Sequence, residues 1–129
     1  MTFARAVLIL GALVFAGIGL GFLFRPSQWA TVVDISLPTP TARTDLRATY
    51  GGFDLAIGIF LALCAARTEW LRPGLVALAL CGAGFGGGRL LGMLVERTAS
   101  RLMLTFFAIE LSSVLLSLYA LRLLSRSQP

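Results

Sequence analysis

The chain has no histidine, no lysine and only two cysteines, and its six acids stand against eleven arginines in 129 residues that are 13% charged. A soluble domain carries about 25% charged residues, so a water-facing surface cannot be drawn from this composition. The missing histidine removes the commonest ligand of zinc and haem iron, and neither a metal nor any other cofactor is expected. Cys64 and Cys81 form no Cys-x-x-Cys pair and read as small buried apolar residues rather than a redox site. There are no paired metal ligands and no Ser or Cys beside a base, so an enzyme acting on lipid or quinone ranks last among the function classes. The net charge is +5. Its arginines mostly sit just outside apolar runs, where guanidinium groups meet phosphate headgroups, which points to a lipid bilayer and away from nucleic acid.

What the chain does have is apolar length. It is 57% hydrophobic with a mean hydropathy of +0.88, and four apolar runs cover residues 6–24, 48–66, 74–95 and 102–124. A bilayer crossing needs about 20 such residues. The first run lies between Arg5 and Arg25-Pro26. It exceeds the ~7–15 residues of a cleaved signal segment and is expected to be retained. Tight turns at 68–70 and 98–100 force antiparallel neighbours. The expectation is an all-α, integral membrane, antiparallel four-helix bundle forming a single membrane domain over residues 1–129. Residues 25–47 make the one long connection, an extramembrane loop with a short interfacial helix at 27–33 that sets Trp29 at headgroup level. It reads as a strap over the bundle mouth or as a gating lid.

Glycine inside these runs lets helix backbones approach closely. Gly17 and Gly21 stand four apart in the first run, Gly51 and Gly58 two turns apart in the second, and Gly84, Gly88 and Gly92 make two overlapping G-x-x-x-G steps in the third. Gly82 and Gly86 lie on the adjoining stripe. All seven of the first group are expected to pack helices, within one chain or, for the third run, between copies.

Three charges interrupt the runs. Asp54 lies six residues into the second, Arg89 six before the end of the third, and Glu110 eight into the fourth. At ~1.5 Å per residue all three fall roughly 9–12 Å below one membrane face. Burying any one alone would cost about 2.5–3.5 kcal/mol, so they are expected to face inward and pair as a cluster. Polar stripes support it: Arg47, Tyr50 and Asp54, and likewise Glu110, Ser113 and Ser117, follow i, i+3, i+7 spacing. With one buried Arg for two acids, the cluster is expected to hold one ionised and one protonated carboxyl, with Glu110 as the proton holder. It reads as a static network that sets helix register, or as a polar cavity for an ion, a proton or a small polar ligand.

The run Arg47-Ala48-Thr49-Tyr50-Gly51-Gly52-Phe53-Asp54-Leu55-Ala56-Ile57-Gly58, then Gly86-Gly87-Gly88-Arg89-Leu90, then Ile109-Glu110-Leu111 resembles the domain of unknown function family 4345, small four-helix bacterial membrane proteins. The resemblance covers nearly the whole chain. It implies the four-helix fold, supports the choice of Arg89 and Glu110, and carries no activity. A bacterial inner membrane is the expected location. Arg5, Arg67, Arg72, Arg122 and Arg126 balance Arg25, Arg43, Arg47, Arg97 and Arg101 across the membrane. The short basic turn and tail place both termini in the cytoplasm. Two functions lead: a non-catalytic accessory or partner-binding protein, in a homo-oligomer or larger membrane complex, and a proton-linked carrier of a small molecule through the Asp54, Arg89 and Glu110 cluster.

Overall fold

The structure, a computed structural model, describes residues 1–126, and every regular element among them is helical. In chain order these are α1 (Thr2–Phe24), α2 (Pro26–Val32), α3 (Pro40–Leu46), a π-helical segment (Arg47–Phe53), α4 (Asp54–Ala66), a 3-10 turn (Thr68–Trp70), α5 (Leu71–Val95) and α6 (Arg101–Arg126). Four helical stretches are long and apolar enough to cross a membrane: Thr2–Phe24, Pro40–Ala66, Thr68–Val95 and Arg101–Arg126. The all-α class and four helices of membrane-crossing length and hydropathy are therefore as expected. Leu13, Phe24, Leu80, Leu91 and Leu94 stand exposed along these helices, as suits elements surrounded by apolar solvent.

One boundary differs from expectation. The second span begins at Pro40, about two turns before residue 48. Pro40 occupies the first helical turn, where a missing N–H costs nothing, and Thr39 caps it by accepting from the Ala42 N–H at 3.1 Å. The last eight residues of the expected connection 25–47 are thus helical.

The chain forms two compact units, Ile9–Leu63 and Met1–Leu8 with Cys64–Pro129. In Ile9–Leu63, α1 runs antiparallel to the π segment and α4. The contact is nearly backbone on backbone. A Cβ at Gly58 would lie 2.8 Å from the Ala16 nitrogen, and one at Gly19 would lie 2.8 Å from the Gly51 carbonyl oxygen. Gly51 itself faces the Leu23 side chain. After α1, Pro26 opens α2, and Asp34 in the left-handed region (φ 57°) closes it, with the Ile35 N–H reaching back to the Ala30 carbonyl at 2.9 Å. The fold-back brings the Trp29 ring against Gly21, where any side chain would collide with the indole. Phe22, Ala30 and Leu46 form a small core here, with Ile18, Ile35 and Leu37 around it.

In the other unit, α5 and α6 form an antiparallel hairpin. Its turn has two stops. Arg97 takes the left-handed conformation (φ 51°), and the Thr98 N–H bonds the Met93 carbonyl at 3.2 Å, closing α5. Ser100 then caps α6 by accepting from the Met103 N–H at 3.2 Å. At the opposite end of the hairpin, Arg72 donates to Ser125 (3.0 Å), Arg5 donates to Thr68 (3.0 Å), and Phe3 meets Tyr119 edge-on with centroids 5.6 Å apart. The start of α1 and the end of α6 therefore share one end of this unit. Single cysteines placed at Thr2 and at Ser125 should react with a membrane-impermeant maleimide from the same side of sealed vesicles; labelling from opposite sides would contradict this arrangement.

Within the chain, Gly21, Gly51 and Gly58 lie against neighbouring elements, whereas an added Cβ at Gly17, Gly84, Gly88 or Gly92 would meet nothing within 4 Å, which leaves packing between copies as the reading for the α5 triplet. On α5 the face that meets α6 is the adjoining stripe. A Cβ at Gly82 would run into the Ser113 hydroxyl and lie 3.0 Å from the Glu110 carbonyl oxygen. Gly19 and Gly74, not singled out from the sequence, also pack tightly, Gly74 against Cys64 and Leu8. Four-residue spacing marks a stripe but not the direction in which it points.

Candidate functional site

Arg89 is placed by its own helix. Gly82, Gly86 and Arg89 follow i, i+4, i+7 spacing and so share the α5 face that meets α6. With no side chain at Gly82 or Gly86, α6 comes close enough for Glu110 to sit beside α5. The Glu110 Cβ would be 3.5 Å from a Cβ at Gly86. Arg89 then closes the approach. Its Nε donates to both Glu110 carboxylate oxygens at 3.0 Å, and its Nη2 donates to Oε1 at 2.7 Å. The remaining nitrogen, Nη1, reaches the Met103 sulfur at 3.4 Å, and the centroid of the Phe106 ring lies 5.0 Å from the guanidinium carbon. The two side chains are 23% and 14% exposed.

This is a forked, charge-assisted pair set side-on against an aromatic face, the arrangement in which a guanidinium is held most firmly. Either charge alone on an apolar span would cost about 2.5–3.5 kcal/mol, and the fork lets each offset the other. Met103 and Phe106 were not singled out from the sequence, although the signal was there. They precede Glu110 by seven and four positions and continue the stripe that runs on through Ser113 and Ser117. Ser113 turns its hydroxyl back to the Glu110 carbonyl at 2.8 Å. Ser117 is fully buried, and its hydroxyl has no hydrogen-bond partner among the described residues.

The third expected member, Asp54, belongs to the unit Ile9–Leu63. It is 4% exposed, and its N–H bonds the Gly51 carbonyl at the end of the π segment. The expected stripe of Arg47, Tyr50 and Asp54 runs through the π segment. A π turn takes more than 3.6 residues, so a spacing of three and seven no longer returns to one face. Arg47 instead donates from Nε to the Leu23 carbonyl at 3.0 Å, placing its charge at the C-terminus of α1 where carbonyls lack partners. Tyr50 stacks on Phe22 with centroids 5.1 Å apart and is 39% exposed.

The sequence elements that carry these positions bear on the family. The family described as Domain of unknown function (DUF4345) matches residues 3–121. The chain belongs to that family. The match spans α1 through most of α6 and so includes Asp54, Arg89 and Glu110. No curated protein and no solved structure matches the chain. Membership in DUF4345 thus brings no residue roles with it, and chemistry has to be argued from the geometry above.

Proposed function

We propose that this DUF4345 member is a multi-pass protein of the bacterial inner membrane, with both termini cytoplasmic, that serves as a non-catalytic accessory or partner-binding subunit of a larger membrane complex. The supporting observation is the closed state of the Arg89 and Glu110 pair. All three guanidinium nitrogens already donate, two to the carboxylate and one to Met103, with Phe106 over the group. A substrate would have to break a forked ion pair to engage it, so the pair reads as a lock on the register of α5 against α6.

The same helix supplies a surface for a partner. Gly84, Gly88 and Gly92 are exposed and leave a shallow channel along α5, of the kind into which a transmembrane helix packs. In mild detergent the native protein should co-purify with a larger assembly. Gly88→Leu should release it while leaving the melting temperature of the isolated protein unchanged, because an added Cβ at this position meets nothing within 4 Å in its own chain. Retention of the assembly by Gly88→Leu would remove this face from the proposal, and migration of the native protein alone would remove the role.

A second reading, a proton-linked carrier, draws on one observation, the buried carboxyl of Asp54. Intramembrane acids recur on ion and proton pathways.

A further inference from the structure

Five arginines gather at one end of the unit that holds α5 and α6. Arg5 donates to Thr68 at 3.0 Å, and Arg72 donates to Ser125 at 3.0 Å. The Arg67 guanidinium lies 4.8 Å from the centroid of the Trp70 ring, and Arg122 and Arg126 occupy the last two turns of α6. All five are exposed, and among the described residues none is ion-paired. Glu69 is the one acid of that end among the described residues. At the far end of the hairpin, Arg97 and Arg101 stand with Glu96, so the positive excess is concentrated at the first end. The free carbonyls that end α6 offset only about half a charge. Three of the five converge. Arg122, Ser125 and Arg126 follow i, i+3, i+4 spacing on one face of α6, and Arg72 reaches the serine between the two arginines.

That face of α6 turns apolar as it enters the span. Leu111, Leu115 and Leu118 precede Arg122 by eleven, seven and four positions and so lie on its stripe. They are 46%, 59% and 51% exposed. The contact with α5 is made by a different face, through Glu110 and Ser113. Exposed leucines are ordinary on a membrane span. Here they lead up to two arginines and a serine held by a third arginine. An apolar track under a cationic cap matches a phospholipid, with the phosphate above and an acyl chain below.

We propose that this end of α6 binds an anionic phospholipid, its phosphate held by Arg72, Arg122 and Arg126 and one acyl chain lying along Leu111, Leu115 and Leu118. Guanidinium groups fork onto phosphate oxygens and stay charged at any working pH, and their stems can lie on apolar surface while the heads reach outward. A lipid of net negative charge is favoured over a zwitterionic one, whose ammonium group would meet the same three cations. The inference rests on insertion of the chain in a membrane and is independent of the partner-binding role.

The test uses the full chain in a neutral detergent. Dioleoyl phosphatidylglycerol is the probe, with dioleoyl phosphatidylcholine and inorganic phosphate beside it at equal concentration. Phosphatidylglycerol should raise the unfolding temperature by about 4 °C or more, because a ligand that binds only the folded chain stabilises it. Neither of the other two should match that shift. Arg122→Gln combined with Arg126→Gln should lose it. Arg97→Gln combined with Arg101→Gln, which removes the same charge from the far end, should keep it. An equal shift with phosphatidylcholine would mean that any lipid serves, and an equal shift with inorganic phosphate would mean a free-anion site. Equal loss in both double variants would mean an effect of net charge alone. Each of these results would overturn the site. Should the first double variant fail to fold, native mass spectrometry of the unaltered chain decides. Phosphatidylglycerol retained on release from the micelle supports the site, and equal retention of phosphatidylcholine overturns it. A chain that stays in solution without detergent would remove the membrane reading itself, and co-purification is a separate measurement, so the failures are told apart.

Discussion

Arg89→Met should unfold at a much lower temperature than the native protein, and adding Glu110→Gln to it should recover most of the loss. The reasoning rests on what each change leaves behind. Removing the guanidinium strands a carboxylate that is 14% exposed, beside Gly86 on apolar helices. Breaking a buried pair from one side costs about 3–5 kcal/mol, whereas replacing both partners with neutral groups of similar volume is often close to neutral. The coupling between the two changes should therefore be large, about 2 kcal/mol or more in a double-mutant cycle, and of the sign that favours the double change. Thermal unfolding in one detergent, followed by circular dichroism, measures all four corners of the cycle. Additive losses would mean that the pair is not what holds α5 to α6, and the lock described above would fall with it.

The second large effect belongs to the other unit. Gly58→Leu should be severely destabilising, and Gly19→Leu comparably so, while Gly17→Leu should be tolerated. At Gly58 a Cβ would come within 2.8 Å of the Ala16 nitrogen and 3.0 Å of the Ala12 carbonyl oxygen; at Gly19 it would meet the Gly51 carbonyl oxygen at 2.8 Å. These are backbone atoms of a helix, which cannot swing aside as a side chain would. The helices must separate, and the rest of their contact separates with them. Overpacking a close contact costs about 1–3 kcal/mol where neighbours can yield, so a backbone contact should stand at or beyond the top of that range. Gly17 lies two residues from Gly19 and faces open space, which makes it an internal control on the same helix. Equal effects at Gly17 and Gly19 would contradict the packing of α1 on α4.

Hydropathy and length alone determined the helix class and the four helices long and apolar enough to cross a membrane, because a crossing takes about 20 apolar residues. Local chemistry likewise announced several ends: Arg25-Pro26 stopping α1, and the turns at 68–70 and 98–100. The pairing of Arg89 with an acid was legible too, since a lone charge on an apolar span is too costly to leave unpaired. Which acid it takes was not legible. Counting depth along helices of regular pitch put Asp54, Arg89 and Glu110 at one level. The segment before Asp54 is π-helical and its span starts at Pro40, and neither fact is written in the periodicity of Arg47 to Gly58. Glycine spacing had the same limit. It marks stripes on α5, but the choice of Gly82 and Gly86 over Gly84, Gly88 and Gly92 as the face meeting α6 depends on helix rotation. Rotation is decided by the sum of contacts on both helices: Ser113 and Glu110 need the room that Gly82 and Gly86 leave, and Arg89 completes that face. Sequence thus determined which residues are too polar or too small for their surroundings, and only tertiary packing decided what each one faces, because a helix buries one side and its residue types alone do not say which.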